Sequence, residues 1–189
     1  NVGSYVIIAN YSGDRDHEPA FDSAHITVNK VQPQFSLEAN PIIYGDNATV
    51  THILPGVPSG TINYCWENGT FIAKLPANEN LILPVLDVGI YVIIAEYSGD
   101  ENMHNATANA TLVISKAETG IVAFPVITTY KDDDYLLIEL KDTNGMPVVG
   151  VNVTVDLNGA KNYTTDENGS VKIYTSNLGA NTYDVYVSF

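Results

Sequence analysis

Two stretches decide the fold: VGSYVIIANYSGDRDHEPAFDSAHITVNK at residues 2–30 and VGIYVIIAEYSGDENMHNATANATLVISK at residues 88–116. They align without a gap at an offset of 86 residues, and 14 of their 29 positions are identical. A fixed period is typical of a tandem array of one structural unit. The sequence therefore predicts the C-terminal part of one repeat at residues 1–30, a complete repeat at 31–116 and a third repeat at 117–189.

Apolar side chains alternate with period two along the repeated segment, which indicates β-strands. The inward face is predicted to carry Tyr5, Ile7, Ala9 and Tyr11 in the first copy and Tyr91, Ile93, Ala95 and Tyr97 in the second. The complete repeat shows about seven short strands, with Trp66 as a core residue and Asn68-Gly69 as a type I′ hairpin turn. This pattern predicts an all-β fold of tandem Ig-like Greek-key β-sandwiches.

The third repeat is predicted to end on its penultimate strand. Its expected strands are 135–140, 149–156, 162–165, 171–174 and 182–189, separated by Asn-Gly turns. The last of these matches the repeated tyrosine strand in phase, so the closing strand that should follow is missing. Residues 31–33 and 117–120 are expected to be short linkers between repeats.

The composition excludes several classes of partner. Eight basic and 22 acidic residues give a formal net charge of −14. A polyanion would be repelled, so nucleic acid and anionic membrane surfaces are not expected to bind. Cys65 is the only cysteine, which excludes an intrachain disulfide. The longest apolar stretch, residues 81–95, is interrupted by Pro84, Asp87 and Gly89, so insertion of this segment into a membrane is not expected.

The motif Gly-x-Tyr-x-Val/Ile-x-Ala-x-Tyr-Ser-Gly-Asp, followed by a short strand and lysine, resembles the end of bacterial-type Ig-like repeats. Such repeats are abundant in adhesin-like surface proteins of methanogenic archaea. Residues 141–155 and 165–169 are similar to other parts of the same repeats. The resemblance implies a β-sandwich fold, a stalk or spacer role and an extracellular location on the cell surface. It implies no catalytic residues.

Eight Asn-x-Ser/Thr sequons are candidate glycosylation sites. They are Asn10, Asn47, Asn68, Asn105, Asn109, Asn152, Asn162 and Asn168. Attached glycans would fit an extracellular surface. The alternative is that Asn and Thr are simply common in β-turns and on exposed strand faces.

The repeated strand also carries an apolar stripe on the face opposite the tyrosines. It consists of Val6 and Ile8 in the first copy and Val92 and Ile94 in the second. One interpretation is a contact stripe that a neighbouring domain, chain or sheet covers. The other is that Val and Ile are good strand formers that are tolerated singly on a surface.

The acidic clusters at residues 14–18, 100–101 and 132–134 could supply oxygen ligands to Ca²⁺. Because the repeated loop changes Asp16 to Asn102 and Glu18 to His104, solvated loop charge is the favoured interpretation. We predict no metal site and no cofactor, with calcium as the alternative. A separate hypothesis concerns the lysines, which could form isopeptide crosslinks with Asn or Asp side chains on neighbouring strands.

An enzyme is not expected. Ser12, Asp14 and His17 could be imagined as a triad, but they lie on one short loop without an oxyanion-type motif.

Three functional hypotheses remain. The first is a spacer or stalk segment of a large adhesin-like protein, possibly fibre-forming, whose partners are neighbouring repeats of the same or an identical chain. The second is a binding module that recognises a surface glycan or protein through loops or an exposed sheet face. The third is a filament subunit whose missing strand comes from a neighbouring chain. Exposed aromatic residues clustered on one face would favour binding, and buried ones would favour the spacer.

Overall fold

The computed structural model describes residues 1–56 and 58–189. All regular secondary structure in these residues is β-strand. The strands divide into two compact units, Asn1–Ser115 and Lys116–Phe189. The segment 1–30 therefore belongs to the same unit as the predicted complete repeat.

The first unit begins with an antiparallel hairpin of β1 (Gly3–Tyr11) and β2 (Ala20–Val28). Both faces of this hairpin are exposed, including the tyrosine face that the sequence pattern predicts to be inward. The reason is that, among the described residues, β1 and β2 form a two-stranded sheet of their own. The strands and turn are as expected, but the burial is not.

Residues 36–115 form a β-sandwich of eight strands, one more than the sequence pattern predicts. They are β3 (Ser36–Ala39), β4 (Ile42–Ile43), β5 (Ala48–Ile53), β6 (Thr61–Trp66), β7 (Phe71–Pro76), β8 (Leu81–Leu83), β9 (Gly89–Tyr97) and β10 (Ala106–Ser115). One sheet has the order β4-β10-β9-β6-β7 and the other β3-β5-β8. The short strand β4 pairs in parallel with β10, and the other described pairs are antiparallel.

The core of this sandwich consists of alternate residues of facing strands, as the period-two pattern predicts. Ile62 and Tyr64 of β6 and Ile93 of β9 are fully buried. The buried Tyr64 hydroxyl lies 3.3 Å from Nδ1 of His52, whose Nε2 lies 2.9 Å from the carbonyl oxygen of Ala77. Burial raises the pKa of Tyr64 to about 12. The Tyr64 hydroxyl, buried in the core, is thus hydrogen-bonded.

Two local predictions for β6 and the following turn need correction. Trp66 is only partly buried and packs at the edge of the core, 5.5 Å from the ring of Tyr91. The hairpin turn is present, but Gly69 alone takes a positive φ, of 83°, so it is not type I′. The side chain of Asn68 accepts a hydrogen bond of 2.9 Å from the backbone N–H of Thr70. This contact favours a three-residue loop with a left-handed glycine.

The second unit is a sandwich of two three-stranded sheets. Its strands are β11 (Thr119–Phe124), β12 (Tyr135–Asp142), β13 (Asn152–Asp156), β14 (Ala160–Thr164), β15 (Ser170–Tyr174) and β16 (Tyr186–Ser188). The sheets have the orders β11-β12-β15 and β14-β13-β16. Ile138, Leu140, Val153 and Val155 form the centre of the core. The predicted fold class, all-β with Ig-like Greek-key sandwiches in tandem, is confirmed.

Two predicted boundaries in the second unit are wrong. Residues 117–120 are not all linker, because Thr119 and Gly120 begin β11 and pair with Asp142 and Lys141 of β12. The strand predicted at 182–189 contracts to three residues, since β16 pairs only with β13 among the described strands.

The two sandwiches share one strand order. β11, β12 and β15 occupy the places of β3, β5 and β8, and β14, β13 and β16 occupy those of β7, β6 and β9. In the first unit β10 pairs with the outer edge of β9. The described residues of the second unit place no strand on the corresponding edge of β16. Donation of that strand by a neighbouring chain stays a prediction.

Candidate functional site at the joint between repeats

The motif Tyr-Ser-Gly-Asp at the end of β9 builds a hydrogen-bonded loop. The Tyr97 hydroxyl lies 2.7 Å from the carbonyl oxygen of Ser59 and 2.9 Å from Oδ2 of Asp100. The other carboxylate oxygen of Asp100 accepts the backbone N–H groups of Asn102 and Met103, both at 2.8 Å. The motif therefore fixes the β9–β10 loop to the end of the sandwich. We refer to the Tyr97–Asp100 pair as the tyrosine–aspartate lock.

The protonation states of the lock follow from these contacts. The backbone N–H of Asn102 is the largest influence that lowers the pKa of Asp100 to about 2. Removal of the Tyr97 hydroxyl from solvent raises the pKa of that tyrosine to about 12, and the nearby carboxylate adds to the effect. At neutral pH the lock is therefore a neutral phenol beside an ionised carboxylate.

The first copy of the motif makes the same lock. The Tyr11 hydroxyl donates to Oδ2 of Asp14 at 2.7 Å, and Oδ1 accepts the N–H groups of Asp16 and His17 at 2.8 Å. The hydrogen bond from Tyr11 is the largest influence that lowers the pKa of Asp14 to about 2. Because the two loops share few residues beyond Tyr-Ser-Gly-Asp, this four-residue motif is enough to specify the geometry.

The glycine of the motif is required in both copies. Gly13 and Gly99 have φ values of 78° and 74°, which L side chains rarely adopt. A Cβ atom on Gly99 would lie 2.9 Å from the backbone nitrogen of Asn105 and from the carbonyl oxygen of Met103. A Cβ atom on Gly13 would lie 2.9 Å from the carbonyl oxygen of His17.

The locked β9–β10 loop holds the segment that leads from β2 into the sandwich. Val31 forms a parallel bridge with Met103: its N–H donates to the Asn102 carbonyl oxygen and its own carbonyl oxygen accepts the N–H of His104, both at 3.0 Å. The Lys30 ammonium donates to the Asp100 carbonyl oxygen. Two further bonds, both 3.2 Å, join the Val2 N–H to Asn102 Oδ1 and the Gln32 amide to the Asn105 carbonyl oxygen.

We call this set of contacts the joint. Sequence reasoning took residues 31–33 to be a stiff linker but did not identify the loop that they bind. The signal was present in the shared spacing of tyrosine, glycine and aspartate within the two copies, whereas Ser59 lies outside the repeated segment and Asn102 stands where the first copy has Asp16. Contacts made by backbone groups cannot be predicted from the types of side chain at those positions.

The apolar stripe is exposed in one copy only. Val6 and Ile8 are exposed on β1, whereas Val92 and Ile94 on β9 are partly buried. Ile94 is flanked by Asn109 of β10 and by Cys65 of β6. A covering partner for this stripe stays a prediction.

All eight sequon asparagines are exposed. Two sequons face each other on β13 and β14: Thr164 donates to Asn152 Oδ1 at 3.1 Å, and Thr154 donates to Asn162 Oδ1 at 2.9 Å. These bonds use only the oxygen of each amide, so they leave the nitrogen that would carry a glycan unengaged by them.

The acidic loops contain Asp14 and Asp100 as structural residues of the lock. Among the described residues, no group of three or more His, Cys, Asp or Glu side chains is arranged to hold a metal ion. Within the imagined triad, His17 Nδ1 lies 2.8 Å from Asp14 Oδ1. In the described part of the chain, no hydrogen bond joins Ser12 to His17. The described residues contain no helix long and apolar enough to cross a membrane.

No family model matches the chain, and no curated protein matches it. Among solved structures, a 1.5-MDa bacterial ice-binding adhesin is similar, with 17% identity and a TM-score of 0.38; the match covers 93% of this chain and 65% of that one. The fibronectin(III)-like modules of Clostridium thermocellum CbhA give 10% identity and a TM-score of 0.36, with 78% and 99% covered. The N-terminal eight Ig domains of Down Syndrome Cell Adhesion Molecule give 16% identity and a TM-score of 0.35, with 100% and 31% covered.

The chain spans less than two thirds of the adhesin structure and 24% of a Parabacteroides merdae β-glucuronidase that is also similar. These TM-scores are low, so the fold assignment is based on the chain's own strand order and cores. Nothing about its activity or partners follows from these likenesses.

Proposed function

We propose that this chain is part of a non-catalytic, extracellular spacer, in which tandem Ig-like repeats are joined stiffly within a large adhesin-like surface protein. The observation that carries this proposal is the joint. A spacer must transmit position along its length, and it can do so only if successive repeats do not swivel freely about their linkers.

The joint replaces a flexible tether by a bonded connection. Lys30, Val31 and Gln32 all bind the β9–β10 loop, and three of their four hydrogen bonds end on loop carbonyl oxygens. Each such bond contributes a net stabilisation of about 0.5–1.5 kcal/mol. Several acting together over three residues are enough to favour one arrangement, because the lock has already ordered the loop that receives them.

The surface of the chain supports an extracellular, glycosylated spacer. All eight sequons are exposed, and they are distributed over turns, loops and outer strand faces of both units. A net charge of −14 keeps neighbouring molecules apart and discourages unspecific association. The archaeal origin that the sequence resemblance implies belongs to this proposal as well.

The experiment measures the joint directly by spin labelling. In a Cys65→Ser background, labels are placed at Ser23→Cys on β2 and at Thr49→Cys on β5, and their separation is measured by electron–electron double resonance. We expect a narrow distance distribution that broadens when Lys30→Ala and Asn102→Ala are combined. Asn80→Ala, an exposed asparagine away from the joint, is the matched control.

A broad distribution in the unaltered chain would remove the basis of the proposal. A distribution that stays narrow in the double variant would assign the stiffness to the backbone bonds of Val31 and the bond of Gln32, which that variant keeps.

A further inference from the structure

The outer face of the β11-β12-β15 sheet carries a cluster of exposed aromatic side chains. Phe124, Leu137 and Lys172 lie side by side across the three strands, and Tyr135 pairs with Tyr174 in the neighbouring row. Tyr135 is 40% exposed and Tyr174 is 56% exposed. We call these five residues the tyrosine platform.

The contacts within the platform hold its rings in place and leave its polar groups free. The two tyrosine rings are 5.9 Å apart in an edge-to-face arrangement, and the Lys172 ammonium lies 4.8 Å from the centre of the Tyr135 ring. Within the described residues, neither tyrosine hydroxyl has a protein hydrogen-bond partner, and Lys172 has no carboxylate in salt-bridge contact. The platform thus offers fixed aromatic surface surrounded by unengaged hydrogen-bonding groups.

The platform is not a necessary feature of this fold. The equivalent outer face of the first unit is formed by β3, β5 and β8. Its outward residues are Ser36, Glu38, Thr49, Thr51, Ile53 and Ile82. No aromatic side chain is among them, although the two sheets have the same strand order. On this face the second unit therefore carries three exposed aromatic residues that the equivalent face of the first unit lacks.

We infer that the tyrosine platform binds a neutral pyranose of a polysaccharide. The C–H faces of a pyranose ring are apolar and pack against aromatic faces, while its hydroxyls can bond the two tyrosine hydroxyls and the Lys172 ammonium. An acidic polysaccharide would be repelled by the net charge of −14.

The size of the face argues against a folded protein as the partner. Three strands at about 4.8 Å spacing and about five residues at 3.3 Å each give a face of roughly 240 Å². A specific protein interface buries about 800 Å² on each partner. A short stretch of polysaccharide needs no larger surface than the platform provides.

The test uses the whole 189-residue chain. Cellohexaose, laminarihexaose and mannohexaose serve as neutral probes and hexagalacturonic acid as the acidic one, with binding followed by calorimetry and by backbone NMR shifts. We expect at least one neutral probe to bind and to shift the resonances of Tyr135 and Tyr174. Tyr174→Ala should weaken that binding about tenfold, and Tyr174→Phe, which keeps the ring, should weaken it less.

The matched control is Tyr186→Ala, which removes an exposed tyrosine from the opposite sheet of the same unit and should leave the affinity unchanged. The inference is overturned if no neutral probe binds, if only the acidic probe binds, or if Tyr186→Ala weakens binding as much as Tyr174→Ala. It is also overturned if the platform resonances shift with protein concentration alone, because a second copy would then be the occupant.

Discussion

The hairpin β1–β2 and the hairpin β9–β10 are two copies of one repeated segment, identical at 14 of 29 positions, in two environments. Their strand pairing has the same register, since Tyr11 pairs with Ala20 and Tyr97 with Ala106. Their burial differs completely. Tyr11 is 44% exposed and Tyr97 1%, while Ile7 is 53% exposed and its counterpart Ile93 is fully buried.

Some features of the hairpin are set by its local sequence, and others require the rest of the sandwich. The pairing register, the left-handed glycine and the lock occur in both hairpins, so a 29-residue segment specifies them. The core exists only where β6 pairs with β9 and a second sheet covers the tyrosine face. Matched substitutions at positions 86 residues apart therefore distinguish the two contributions.

The largest effect is expected from truncating the buried isoleucine. Ile93→Ala should lower the free energy of unfolding of the first unit by about 2–5 kcal/mol, because it removes core contacts and leaves a cavity. Ile7→Ala should change it by no more than about 0.5 kcal/mol. Urea unfolding followed by the fluorescence of Trp66, the only tryptophan, measures both. Equal losses would mean that the exposed face of β1–β2 is covered in solution.

The next effect concerns the glycine of the loop. Gly99→Ala forces a left-handed conformation on alanine and brings its Cβ to 2.9 Å from two backbone atoms, so we expect a loss of about 1–3 kcal/mol. Gly13→Ala should not alter the unfolding reported by Trp66, although its local strain is similar. The same urea measurement is used, with Gly56→Ala as a control, because open space surrounds that left-handed glycine. A loss at Gly56 as large as that at Gly99 would show that φ alone, rather than crowding, determines the cost.

The sequence predicted the strands of the fold more fully than the contacts made at its surface. Alternation identified the strands 61–66 and 91–97 because one face of each packs in the core. The strand that begins at Thr119 was missed, because Thr119 and Gly120 show no alternation and fall within the linker predicted at 117–120. The lock could not be predicted, because its hydrogen bonds to backbone groups require only the spacing Tyr-x-x-Asp in the sequence. Ordinary turn formation explains the same spacing.

The tyrosine platform could not be predicted either. Phe124, Tyr135 and Tyr174 are far apart in sequence, and only the pairing of β11 and β15 with β12 brings them onto one face. Aromatic side chains are usually expected to be buried in the core. This is correct for Tyr64 and Tyr97, whereas Phe124, Tyr135 and Tyr174 are exposed. The exposure of the sequons was easier to predict, because it follows from their positions in turns and on the outward faces of strands.

A smaller effect is expected from the lock hydroxyl. Tyr97→Phe keeps the buried ring but leaves the Ser59 carbonyl oxygen without this donor, so the loss should be about 0.5–1.5 kcal/mol. Tyr11→Phe should leave the unfolding reported by Trp66 unchanged. Double resonance on the labels described above adds a second readout, since loosening the β9–β10 loop should broaden the joint. A Tyr97→Phe variant with unchanged stability and an unchanged joint would show that Asp100 alone orders the loop.

The smallest effect is a dependence on pH. Because the pKa of Asp100 is lowered to about 2 in the folded chain from an ordinary value of about 3.9, its contribution is fully present above about pH 4 and is lost as the pH falls towards 2. Asp100→Asn should flatten the pH dependence of the Trp66 unfolding midpoint across that window. Asp14→Asn should not, although the pKa of Asp14 is lowered to the same value, because its lock lies outside the sandwich. If both variants flatten the profile equally, the hairpin β1–β2 unfolds together with the sandwich, and the joint couples the two copies more tightly than their separate hydrogen bonds suggest.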